Sequence, residues 1–218
     1  NLALASAWVT ENKRTYAPQA TVIGMINAGP VYPATCRPED VRAAQGLSEV
    51  YNLELLQLLT RGTYSKSLWR RMERQGILPE AEEGDWEFLK RNTVDAVGIS
   101  YYASKTVSGQ NKNADLSRDL LRTFTGGKSA FDPNPYLEAT QWGWTVDPEG
   151  LRIVLNMIYN RFELPIYVLE SGIGVRESLD ENKTVEDDYR IDYLRRQIEA
   201  VEAACAQDGV DVRSYLTW

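Results

Sequence analysis

Histidine is absent from all 218 residues, and that absence removes more chemistry than any one motif supplies. Without imidazole there is no Ser-His-Asp triad or Cys-His dyad, no histidine general base and little scope for a catalytic zinc site. Acid-base work falls to carboxylates, tyrosine, lysine or cysteine. Cysteine is nearly as scarce. Cys36 and Cys205 stand far apart with no metal spacing, which fits reduced structural thiols rather than a disulfide framework. The sequence calls for no metal and no cofactor. No basic tract offsets the net charge of −7, so a nucleic acid is not an expected partner. Apolar runs are strand-sized, the first residues lack the blocks of a signal peptide, and no membrane partner is expected; the expected location is the cytoplasm. No G-x-G-x-x-G follows the first strand, which disfavours a dinucleotide fold. Gly127-Lys128-Ser129 imitates the end of a phosphate-binding loop, but Arg122 occupies the first glycine's position and no strand precedes it.

What remains is an ordinary globular composition, 43% hydrophobic and 25% charged, with clear alternation of elements. Residues 1–11 have helical composition. Residues 21–27 (T-V-I-G-M-I-N) read as a buried strand. Pro38-Glu39-Asp40 opens a helix with Val41, Ala44, Leu47, Tyr51 and Leu55 at helical spacing, closed by Arg61-Gly62. A helix around Leu68 to Gln75 ends at Gly76, and residues 95–100 form the next strand. Residues 105–136 read as a long irregular loop of the kind that covers a site. Asp147-Pro148 caps a helix striped by Leu151, Val154, Ile158 and Phe162. Thr184 and Asp187 resemble a capping box for a helix striped by Ile191, Leu194, Ile198, Val201 and Cys205, which Asp208-Gly209 stops. Residues 210–218 begin one more strand. Helix-strand alternation of this kind implies a parallel sheet; a doubly wound sheet and a piece of a β/α barrel both satisfy it.

The pivotal stretch is P-I-Y-V-L-E-S-G-I-G from Pro165. It is a short β-branched and aromatic strand that delivers one carboxylate, Glu170, at its carboxyl end, where parallel α/β folds place chemistry. On position alone Glu170 is either a solvated loop carboxylate or a catalytic one.

The matching stretches decide the direction. Y-P-A-T-C-R-P-E-D-V from Tyr32, G-I-S-Y-Y from Gly98, W-G-W-T-V-D-P-E-G-L-R from Trp142, P-I-Y-V-L-E-S-G from Pro165 and D-D-Y-R-I-D-Y-L from Asp187 together resemble glycoside hydrolase family 1, most nearly its 6-phospho-β-glucosidase branch. The resemblance implies the C-terminal half of a (β/α)8 barrel, one partial domain over residues 1–218 from the end of the fourth helix to the start of the eighth strand. It implies retaining hydrolysis of a β-glucoside or phosphorylated β-glucoside with Glu170 as nucleophile. Tyr102 is similar to the tyrosine that bonds that carboxylate, and Trp218 to the tryptophan that stacks under the sugar. Trp142, with Trp144, is a further candidate platform.

Two departures stand out. The family's asparagine after the nucleophile is Ser171 here. A barrel of this type also needs roughly 250 residues or more, so the first four strands and the acid/base glutamate are missing. The expected partner is therefore a complementary N-terminal half-barrel or a second copy, since four strands leave two open edges. The alternatives are a catalytically incomplete half-barrel and a sugar-binding or interaction module.

Overall fold

The computed structural model describes residues 2–111 and 130–218; the Gly127-Lys128-Ser129 stretch and Arg122 lie outside them. The elements run α1 (Leu2–Tyr16), β1 (Ile23–Asn27), β2 (Val31–Pro33), α2 (Pro38–Ser48), a π-helical turn (Glu49–Leu53), α3 (Glu54–Arg61), α4 (Lys66–Gln75), α5 (Asp85–Arg91), β3 (Ala96–Tyr101), β4 (Lys105–Val107), α6 (Pro148–Phe162), β5 (Ile166–Ser171), α7 (Asp188–Ala206) and β6 (Val212–Thr217).

Four strands form one parallel sheet in the order β1-β3-β5-β6. Neighbours in the sheet follow one another along the chain, with no point at which the order reverses. A doubly wound sheet needs such a reversal, whereas a barrel does not. The fold is therefore a half-barrel, with β1 and β6 as open edges.

The core lies on the helix-facing side of the sheet. Val97, Ile99 and Tyr101 of β3 and Ile166 and Val168 of β5 are fully buried there, against Leu56 of α3 and the α6 stripe Leu151, Val154, Leu155 and Ile158. The α6 reading from sequence holds along its whole length, and its cap is Asp147 Oδ1, which accepts from the Gly150 amide at 2.8 Å. Among the described residues no helix is long and apolar enough to cross a membrane.

Several sequence expectations need correction. The helix from Pro38 does not run unbroken, because the π-helical turn inserts extra backbone and rotates the following face. Val41 and Leu55 of the expected stripe are exposed, while Leu53, Leu56 and Leu58 are buried. The same turn buries Asn52, whose amide bonds both Gly29 N–H and Gly29 C=O at 3.0 Å. Thr184 and Asp187 form no capping box. The Thr184 hydroxyl donates to Asp180, and Asp187 makes no side-chain cap but pairs with Arg190. On α7 the buried line is Tyr193, Gln197, Ala200 and Ala204, with Ile191 and Ile198 exposed. β1 is an edge strand with Met25 exposed rather than a wholly buried one. Cys36 is exposed and Cys205 partly buried, both free. The loop from residue 105 opens with β4, which pairs in parallel with β2 in a second small sheet; neither strand, nor α5, is legible from periodicity.

Candidate active site

Strict strand alternation would send Glu170 the wrong way. Ile166 and Val168 face the helices, so residue 170 should follow them two positions on. A bulge intervenes. From Val168 to Ser171 β5 takes three steps, while β3 takes two from Ile99 to Tyr101 and β6 takes two from Tyr215 to Thr217. The extra residue turns Glu170 to the barrel side and sets it in register with Ser100.

There one carboxylate oxygen receives two donors. Ser100 Oγ and Tyr102 Oη each donate to Glu170 Oε2 at 3.0 Å. Burial first, then the bond to Glu170, holds the Tyr102 phenol well above the usual tyrosine range, so it remains a protonated donor. Tyr102 and Glu170 are thus brought together as the sequence anticipates. Ser100 is not anticipated, although its separation of two from Tyr102 gives both the same face of an extended chain.

A cavity of about 590 Å³ opens over this pair, lined by Tyr102, Trp142, Trp144, Glu170, Gly174 and Trp218. Trp144 joins the two walls, with ring centroids 5.3 Å from Tyr102 and 5.4 Å from Trp142. Trp142 and Trp218, both sequence candidates, therefore share the cavity with Glu170. Two glycines make room for them. A Cβ on Gly174 would collide with the Trp142 indole, and one on Gly172 with the Trp218 carbonyl. The Trp218 amide donates to the Ser171 carbonyl at 2.9 Å, so the last tryptophan hangs on the residue after Glu170. Asn27, which the sequence reading did not single out, and Tyr51, which it placed in a helix stripe, line the same cavity, and the Tyr51 hydroxyl donates to Asn27 Oδ1 at 2.7 Å.

The loop carrying Trp142 and Trp144 is anchored at its end. Asp147 accepts from Tyr32 Oη at 2.9 Å, and its carbonyl from Tyr101 Oη at 2.5 Å. Thr145 Oγ1 accepts from the Ser104 amide at 2.9 Å. The small β2-β4 sheet is thereby tied to the start of α6.

Glu177 is a second carboxylate on the cavity wall. The Tyr189 hydroxyl and then the Arg190 guanidinium hold it below the usual carboxylate range, which suits a fixed anion and not a proton donor. Among the described residues no cluster of three or more histidine, cysteine or acidic side chains could hold a metal ion.

The sequence pattern of glycosyl hydrolase family 1 matches residues 1–218. The 6-phospho-beta-glucosidase AscB of Escherichia coli is 38% identical over 99% of this chain and 43% of its own length. The aryl-phospho-beta-D-glucosidase BglH of Bacillus subtilis is 39% identical over 99% of this chain and 44% of its own. Among solved structures, the family 1 β-glucosidase of Thermotoga maritima superposes with a TM-score of 0.80 and 26% identity, covering 100% of this chain and 45% of that one. The chain thus spans less than half the length of the relatives it matches. With the family pattern running from end to end over a half-barrel that superposes on these enzymes, the chain belongs to glycosyl hydrolase family 1.

Proposed function

We propose that this chain is the C-terminal half, from the end of the fourth barrel helix to the start of the eighth strand, of a retaining β-glycoside hydrolase with Glu170 as nucleophile. The observation that carries the reading is the bulge-turned carboxylate with two hydroxyl donors on one oxygen, at the floor of an aromatic cavity. Fixed donors orient the carboxylate, and Glu170 attacks the anomeric carbon as the bond to the leaving oxygen breaks and that oxygen takes a proton from the acid/base; water, giving its proton to the same group, then opens the glycosyl-enzyme. Trp218 stacks under the apolar face of the sugar, while Trp142 and Trp144 offer rings to the leaving group.

Retention needs a second carboxyl group about 5 to 5.5 Å away. Glu177, tied to Tyr189 and Arg190, is no proton donor. By resemblance to the family the acid/base belongs to the N-terminal half of the barrel, which would also close the open edges; the alternative of an inactive module lacks such a supporting observation. The substrate is a 6-phospho-β-glucoside in preference to a plain β-glucoside, in keeping with what AscB and BglH are named for. Two free cysteines, one of them exposed, suit a reducing cytoplasm.

The test joins the 218-residue chain to the first half of a 6-phospho-β-glucosidase barrel and follows aryl release from an aryl 6-phospho-β-glucoside and its unphosphorylated counterpart. Turnover favouring the phosphorylated substrate is expected, and Glu170→Gln lowers it by at least on the order of 10⁴-fold. Turnover undiminished in Glu170→Gln would remove Glu170 from the nucleophile's role.

A further inference from the structure

The loop that carries Trp142 and Trp144 is a short hairpin with one foot on each of the two strands that shape the Glu170 site. Its turn is Thr140-Gln141-Trp142-Gly143: the Gly143 amide donates to the Thr140 carbonyl at 2.8 Å, with Gly143 at a φ of 77°. The Thr140 amide donates to the Trp144 carbonyl and the Val146 amide to the Glu138 carbonyl, both at 2.8 Å, and Ala139 pairs with Thr145. Trp142, near the tip, packs on Gly174 after β5, and Gln141 Oε1 accepts from the Arg176 amide at 2.8 Å. The other foot stands on the segment after β3, and a single hydroxyl makes it.

That hydroxyl is Thr145 Oγ1. It accepts from the Ser104 amide at 2.9 Å, donates to the Ser104 carbonyl at 3.2 Å and lies 3.0 Å from Ser104 Oγ. A threonine hydroxyl has one proton and two lone pairs, and here all of them engage one residue. Ser104 is 4% exposed, so its backbone groups are costly to leave unpaired. Two residues back along the same segment stands Tyr102, which donates to Glu170 Oε2. Trp144, the neighbour of Thr145, sets its ring 5.3 Å from the Tyr102 ring and 5.4 Å from that of Trp142. The hairpin thus grips residues 102–104 at both ends. A shift of the hairpin moves the nucleophile's donor together with the rings offered to the leaving group.

We infer that Thr145 is a positioning residue for hydrolysis: its clasp on Ser104 fixes the Tyr102 hydroxyl against Glu170 and holds the Trp142 and Trp144 rings in place beside it. Thr145 does not line the cavity and acts through Tyr102. The role rests on the nucleophile reading of Glu170, whereas the clasp does not.

A double-mutant cycle in the completed barrel tests this, read as kcat for aryl release from an aryl 6-phospho-β-glucoside. Thr145→Val keeps the shape of the side chain and loses the hydroxyl, and should lower kcat by about 10-fold, the scale of a small misplacement. Thr145→Ser keeps the hydroxyl and should hold kcat within about twofold of wild type. In a Tyr102→Phe background no phenol hydroxyl is left to place, and Thr145→Val should cost less than about a further twofold. Destabilisation alone would give the same factor in both backgrounds. Losses that multiply, an unchanged kcat in Thr145→Val, or a serine variant as slow as the valine one would each overturn the inference. If Thr145→Val does not fold, as judged by its thermal melt, Thr145→Ala takes its place in the cycle, because the smaller side chain admits solvent to the Ser104 backbone. Glu170→Gln is assayed alongside. Turnover retained there would remove the nucleophile reading and the role with it; turnover lost there while the other two losses multiply would remove the role alone.

Discussion

At the scale of single residues, the site depends on which atoms face Glu170 Oε2. Tyr102 and Ser100 both donate to that one oxygen at 3.0 Å. Removing one hydrogen bond to a charged group costs about 1.5 to 3 kcal/mol, and each 1.4 kcal/mol is about tenfold in rate. Tyr102→Phe in the completed barrel should therefore lower kcat by about 10- to 100-fold, measured as aryl release. The phenol's pKa is raised, first by burial and then by its bond to Glu170. The sign follows: a raised value keeps the proton on Tyr102 through pH 10, the ordinary midpoint of about 10 for tyrosine. The wild-type pH profile should accordingly have no break near pH 10 that disappears in Tyr102→Phe. Tyr102 was legible from its place in G-I-S-Y-Y, but Ser100 was not, because its role depends on a bulge in a different strand.

At the scale of elements, two joints carry predictions. Asn52 pins the turn after β1 by bonding both polar groups of Gly29 while fully buried. Asn52→Ala leaves that N–H and C=O unpaired, at about 1 to 3 kcal/mol for each such group. Chemical denaturation should register a loss on the order of 3 kcal/mol. The α6-α7 joint is ionic. Asp208 accepts from Arg152 at 2.6 and 2.7 Å and from Asn156 at 2.7 Å, and these bonds, Arg152's first, depress its carboxyl to about 2. A depressed carboxylate stabilises the fold fully above its unfolded pKa of about 3.9 and loses that contribution as pH falls through about 2. Thermal melts of wild type and Asp208→Asn should differ at neutral pH and converge toward pH 2. Periodicity foretold α6 because its stripe is continuous in one register. It found the helix from Pro38 but missed the π-helical turn that shifts the register midway, and found α7 but misplaced its buried face, because that line includes Tyr193 and Gln197, which hydropathy counts as polar or marginal.

At the scale of the whole molecule, the sheet ends in two unpaired edges, β1 and β6. Apolar side chains that a closed barrel would enclose are open to solvent, Met25 at 40% and Leu216 at 46% exposed. Exposed edges and apolar surface recruit another chain. The 218-residue chain alone should sediment as a self-associated species, and adding a complementary N-terminal half-barrel should convert it to a one-to-one complex. A stable, well-folded monomer by light scattering would contradict this.

The amino-acid sequence by itself determined the chemical repertoire, since the lack of histidine leaves carboxylates and phenols to act, and it determined the succession of parallel strands and the strand end at which Glu170 sits. These follow from composition and from hydrophobic spacing along one element. The family resemblance already implied a half-barrel; only the tertiary structure decided that a bulge turns Glu170 from the helix side to the cavity, that Ser100 donates to its carboxylate, and that Asn27 and Tyr51 line that cavity. Each of these depends on register between segments distant in sequence, and register is set by packing across strands, which no local pattern encodes.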